Sequence, residues 1–85
     1  MPYIKQEDRD KIANDLNPLL SISLSSGELN FVITELCNAY LRHHKPNYST
    51  MNNIIGVLEC AKQEYYRRIC APYEDQKSKE NGDVY

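Results

Sequence analysis

The side chains best equipped for specific chemistry sit close together in Tyr65-Tyr66-Arg67-Arg68, with Tyr73 a little further on and Tyr85 at the last position. An aromatic face can stack a nucleobase, and a guanidinium fork can hold a phosphate through two parallel N–H donors. On a helix, Tyr65 and Tyr66 point about 100° apart, so only one of them can join an apolar stripe. Tyr65 falls on the stripe, and Tyr66 and Arg67 fall beside it. The candidate ligand-binding residues are therefore Tyr66, Arg67, Arg68, Tyr73 and Tyr85. The plainer alternative is that the tyrosines fill a helix interface while the arginines pair with Glu59, Glu64 or Glu74.

Catalytic chemistry has little to work with. The conventional general bases are His43 and His44, set between Arg42 and Lys45 with no recognisable nucleophile nearby. A helix end is the simpler role for them, since positive charge is favourable there. Cys37, Cys60 and Cys70 read as small apolar groups on helix faces. An odd cysteine count argues against a disulfide framework. No CxxC pair and no spaced histidines supply a zinc site. No phosphate loop, dinucleotide fingerprint or HExxH motif is present. The expectation is a non-enzyme with no metal and no cofactor.

Three elements must position these groups. Glu7, Asp8 and Asp10 precede Ile12, Leu16, Leu19 and Leu20, an amphipathic pattern that predicts a short helix. Pro18 disfavours helical backbone at Asn17, so the helix is expected to bend or end there. Before it, residues 1–5 read as an extended arm anchored by Tyr3 and Ile4. Ser21 to Gly27 reads as a loop. Ser25 and Glu28 form a capping box for a second helix, with a stripe of Leu29, Val32, Ile33, Leu36 and Tyr40. Phe31 and Cys37 widen the stripe, and Pro46 stops the helix. Ser49 or Thr50 is the expected cap of a third, in which Met51, Ile54, Ile55, Leu58, Ala61, Tyr65 and Ile69 recur at three and four residues. Gly56 suggests a closely approaching backbone. Pro72 is expected to kink or break this helix, with a polar helix following to about Glu80 and a tail at 81–85.

Eighty-five residues make one domain, with a marginal core of its own. Small domains of this kind lean on an extra stabiliser, and with disulfides and metal set aside, oligomerisation remains. The net charge of −2 supplies no general attraction for duplex nucleic acid or anionic lipid. The polar amino terminus and the lack of a long apolar run predict a soluble, cytoplasmic protein without a membrane partner. The expected fold is all-α: a small bundle of three to four helices, the long third one kinked or broken at Pro72, completed by oligomerisation.

The strings GELNFVITELC (27–37) and IIGVLECAKQEYYRRICAPYEDQKSKENGDVY (54–85), with the opening MPYIKQEDR, resemble a family of small uncharacterised proteins of tailed bacteriophages, prophages and bacteria. The resemblance covers nearly the whole chain, with the loop at 17–26 its variable part. It implies a phage or prophage context and action in the bacterial cytoplasm. It brings no catalytic residues with it.

Two function classes lead, ahead of a structural or nucleic-acid-associated phage component, against which the negative net charge and the absence of a basic arm count. One is a binding module, a homo-oligomer sequestering a nucleotide-like signal of bacterial immunity; this rests on analogy with other small phage proteins. The other is an adaptor or inhibitor gripping a host or phage protein. Ile54, Leu58, Ala61, Tyr65 and Ile69 are expected to hold the monomer together. Val57 and Cys60, with Phe31 from the second helix, are expected to meet a second subunit. The tail is expected to dock, on its own helices or on a neighbouring subunit, with the carboxylate of Tyr85 on Arg67 or Arg68.

Overall fold

The computed structural model describes residues 3–85. Met1 and Pro2 of the expected arm lie outside the described residues. Helix α1 spans Gln6–Leu20, α2 Ser26–His43 and α3 Tyr48–Tyr65; a π-helical turn at Tyr66–Cys70 then leads into α4, Ala71–Asn81. Among the described residues there is no strand, so the all-helical class stands.

The caps explain where the helices begin. Ser25 Oγ accepts from the Glu28 N–H at 3.1 Å, and Glu28 Oε1 accepts from the Ser25 N–H at 2.8 Å. That is the expected capping box, and the carboxyl of Glu28 is held below its ordinary value by its hydrogen bonds to the backbone and hydroxyl of Ser25. For α3 the cap is not Ser49 or Thr50 but Asn47, whose Oδ1 accepts from the Thr50 N–H at 2.9 Å. Asn47 sits directly after Pro46 and has the extended backbone of a cap residue. Thr50 is then drawn inward as the one buried residue among the described residues.

Neither Pro18 nor Pro72 ends its helix. Pro18 lies inside α1, which continues to Leu20. Near an exposed helix end a proline removes one hydrogen bond that solvent replaces. Asn17 O still receives the Ser21 N–H at 3.1 Å and its Oγ at 2.8 Å. Pro72 does not break its helix either. The Ala71 N–H bonds Tyr66 O, five residues back, and Cys70 and Ala71 keep helical backbone angles. A proline ring clashes with the carbonyl four residues earlier, here that of Arg68. Widening one turn moves that carbonyl aside. Residues 48–81 therefore form one continuous rod. At 1.5 Å per residue it measures about 51 Å, which matches the longest dimension of the chain, 50 Å.

The helices pack loosely within one chain. Helices α2 and α3 meet across the turn at 44–47, whereas the backbone of α1 lies against no other helix. Among the described residues no apolar side chain is fully buried. The radius of gyration is 16.6 Å, against about 12 Å for a compact chain of this length. The accessible surface is 7654 Å², whereas a folded 9.9 kDa monomer exposes roughly 5,200 Å². Tyr65 and Ile69, expected to hold the monomer together, are more than half exposed. Gly56 has no heavy atom within 4 Å of where a Cβ would sit, so no backbone packs there.

Candidate functional site: an apolar groove and a tyrosine–carboxylate–arginine cluster

Two features stand out along the rod. The first is a groove between α2 and α3. It is lined by Ile33, Leu36, Cys37 and Tyr40 from α2 and by Ile54, Val57 and Leu58 from α3, and it measures about 240 Å³. None of these residues is charged. The helical period puts residues 33, 36, 37 and 40 on one face, as it does 54, 57 and 58. The sequence reading separated Ile54 and Leu58 from Val57. The structure places all three in one wall. Of the other expected interface residues, Cys60 is exposed one turn further on, and Phe31 is exposed and takes no part in the groove.

The end of α2 beside the groove accounts for the histidines. His44 Nδ1 donates to the Tyr40 carbonyl at 2.8 Å, and its ring stacks on that of Tyr40 with centroids 3.9 Å apart. This ties up the carbonyl end of the helix, the role expected of the basic run at 42–45.

The second feature is the cluster around the π turn. Glu64 Oε1 is its centre. It accepts from Arg67 Nη2 at 2.6 Å and from Arg68 Nε at 3.0 Å. It also accepts from the hydroxyl of Tyr3, which reaches over from the amino-terminal arm. Arg68 Nη2 donates back to Tyr3 Oη at 2.9 Å. The Arg67 and Tyr3 hydrogen bonds, with help from Arg68, hold the Glu64 carboxyl down at about 2. The same contacts raise both arginines further, Glu64 being the main cause for each. The guanidinium of Arg68 also stands 6.0 Å from the centre of the Tyr3 ring. Tyr3 thus anchors the arm as the sequence suggested, and through a charge cluster rather than an apolar contact.

On the carboxyl side of the turn, Tyr66 Oη donates to Glu74 Oε1 at 2.7 Å. That bond, and the charge of Glu74, raise the Tyr66 phenol, with smaller pushes in the same direction from Cys70 and Tyr85. Tyr73 faces its own neighbour, with Lys77 Nζ 5.6 Å from its ring centre. Gly82 adopts a positive φ of 89°, a conformation glycine reaches without strain, and the tail turns back there. Glu74, Asp75 and Lys77 together with Val84 and Tyr85 then line an open groove of about 420 Å³. The tail runs back beside α4 with Val84 and Tyr85 exposed, so the expected docking of the tail is not seen within one chain. Its final tyrosine makes no hydrogen bond or ion pair with the arginines, which pair with Glu64 and Tyr3 instead.

The five candidate ligand residues are therefore split. Arg67 and Arg68 belong to the Glu64 side, Tyr66 and Tyr85 to the Glu74 side, and Tyr73 pairs with Lys77. The alternative of arginines paired with Glu64 is met by both Arg67 and Arg68, and Glu59 pairs with Lys62 at 3.2 Å. The sequence reading missed the third donor on Glu64 and the link from Tyr66 to Glu74. The available signal was Pro72: a proline inside an otherwise unbroken helical pattern can be absorbed by a π turn, which resets which residues share a face.

Among the described residues no helix is long and apolar enough to cross a membrane. No curated protein and no solved structure matches the chain. A family described as a domain of unknown function, DUF6899, matches residues 1–84, and the chain belongs to that family.

Proposed function

We propose that the protein is a non-catalytic interaction module whose working surface is the apolar face of α2 and α3. The observation that carries this is the surface excess: roughly 2,400 Å² more than a compact monomer exposes, with an uncharged groove at its middle. The groove is uncharged and open, and an exposed apolar groove of this kind marks a place where another polypeptide sits. A phage or prophage origin and a site of action in the bacterial cytoplasm belong to the same proposal, resting on the sequence resemblance. Duplex nucleic acid fits poorly with the net charge of −2.

The test is to purify the chain under native conditions from a bacterium that carries it and to measure hydrogen exchange across α2 and α3. Slow exchange at the groove residues, abolished by Leu36→Asp or Val57→Asp, is the expected result. A folded, solitary chain whose groove exchanges freely and binds hydrophobic dyes as purified would overturn the reading.

A second reading keeps a nucleotide-like ligand at Arg67 and Arg68, favoured by the two half-exposed guanidinium groups side by side. Such a ligand has to displace Glu64 from both. Thermal stabilisation by cyclic dinucleotides or cyclic ADP-ribose isomers supports it. No shift with the native chain or with Glu64→Gln, which frees the arginines, counts against it.

A further inference from the structure

We propose that the occupant of the α2–α3 groove is a second copy of this chain, seated by a twofold axis so that two helix pairs form one four-helix bundle. The inference rests on the interaction-module reading and names its partner. Three observations select a copy over another protein.

The first is area. If each chain hides the surface by which it exceeds a compact monomer, the pair buries roughly 4,900 Å² in total. Standard complexes bury about 1,600 Å², and permanent homodimers 2,000–5,000 Å². Burial on that scale would fall in the range of permanent homodimers.

The second is the missing core. Among the described residues no apolar side chain is fully buried within one copy. Such a chain has little to offset the entropy of ordering its helices alone. Its partner must be present whenever it folds and in equal number, and a second copy meets both conditions. Many obligate homodimers have no stable folded monomer for this reason.

The third is self-complementarity. A twofold contact places the same patch on both sides, so any charge in it meets its own kind. The walls carry no charge. The charged residues of α3 beyond the groove are already paired, Glu59 with Lys62 and Glu64 with Arg67 and Arg68. Two helices with one shared apolar face are half of a four-helix bundle, whose interior is built from such faces.

Sedimentation equilibrium and native mass spectrometry of the full chain give the stoichiometry. Isotope-filtered NMR on a mixture of labelled and unlabelled copies gives the contact surface. The expected result is a species of twice 9.9 kDa, a melting temperature that falls on dilution, and intermolecular contacts among the methyl groups of Ile33, Leu36, Ile54, Val57 and Leu58. A homodimer whose contacts lie elsewhere, at Phe31 or Ile55, overturns the proposed seating. A complex of the native chain with a different protein at the groove overturns the second copy and leaves the interaction module standing. A folded monomer with a concentration-independent melting temperature and a bare groove overturns both. Leu36→Asp is expected to yield an unfolded monomer. The milder Val57→Ala keeps the test informative by raising the dimer dissociation constant at least tenfold while the helices persist at high concentration.

Discussion

Tyr66 Oη and Glu74 Oε1 are joined by a 2.7 Å hydrogen bond across eight residues of one helical rod. In a regular α-helix a spacing of eight leaves two side chains about 80° apart. The π turn at Tyr66–Cys70 takes up one extra residue, so the spacing behaves as seven and the two come to within about 20° of one line. Pro72 forces the turn, and the turn makes the pair.

Pro72→Ala removes the reason for the wide turn. The rod is expected to relax to a regular α-helix, rotating everything beyond it by about 100°. Tyr66 then loses Glu74, and its phenol, now raised, returns toward the ordinary tyrosine value. Following Tyr66 by carbon NMR through an alkaline titration reads this out. The comparison is Glu74→Gln, which lowers the Tyr66 value with the turn intact. An unchanged Tyr66 titration in Pro72→Ala would refute the link between proline and pair.

Glu64 sets the acid behaviour of the arm. Its carboxyl is held at about 2, against an ordinary 4.5. A carboxyl lowered on folding stabilises the folded form above its unfolded value, and that contribution is lost as the pH falls from about 4.5 toward 2. The Tyr3 contact is expected to release over the same window. A carboxyl NMR titration of Glu64 with a midpoint near 2, accompanied by movement of the Tyr3 ring signals, is the expected outcome. Tyr3→Phe removes the second-largest cause of the lowering and should raise the midpoint. A wild-type midpoint at the ordinary value would sink the cluster as described.

Gly56 lies in the interior of α3 with open space where a side chain would be. The helical period also turns it away from Ile54, Val57 and Leu58. Gly56→Ala is therefore expected to stabilise the protein by about 1 kcal/mol through helix propensity alone, read as a higher melting temperature at fixed concentration. Destabilisation would mean that a partner backbone approaches this face instead of the groove.

Ser25→Ala removes the hydroxyl that accepts from the Glu28 N–H and is expected to cost about 1 kcal/mol. Chemical denaturation followed by circular dichroism measures it. Threonine at the same position should restore most of the loss, which separates the cap from any effect of side-chain size.

Much of this was legible in the chain because local rules decide it. The capping box at Ser25 and Glu28, the stop at Pro46 and the period of the α3 stripe each depend on residues within a turn or two. The cap of α3 was misplaced by two or three residues because Asn47, Ser49 and Thr50 can all accept a backbone N–H. Which one does so depends on how the chain leaves Pro46. The site was legible in its parts only. Glu64 with Arg68 follows from helical spacing, whereas Tyr3 reaches them from sixty-one residues away, and no periodicity reports such a contact.

By itself, the sequence determined that the protein is three helical stretches with one apolar stripe more than it can cover, because amphipathic period and helix punctuation are properties of neighbouring residues. Only the tertiary structure decided that Pro72 is absorbed within a single 48–81 rod. It also decided that Glu64 gathers Tyr3, Arg67 and Arg68, and that Ile54, Val57 and Leu58 share one open groove with α2. Those outcomes depend on how a whole turn widens and where distant segments come to rest, and these follow from packing across the chain, not from the order of residues along it.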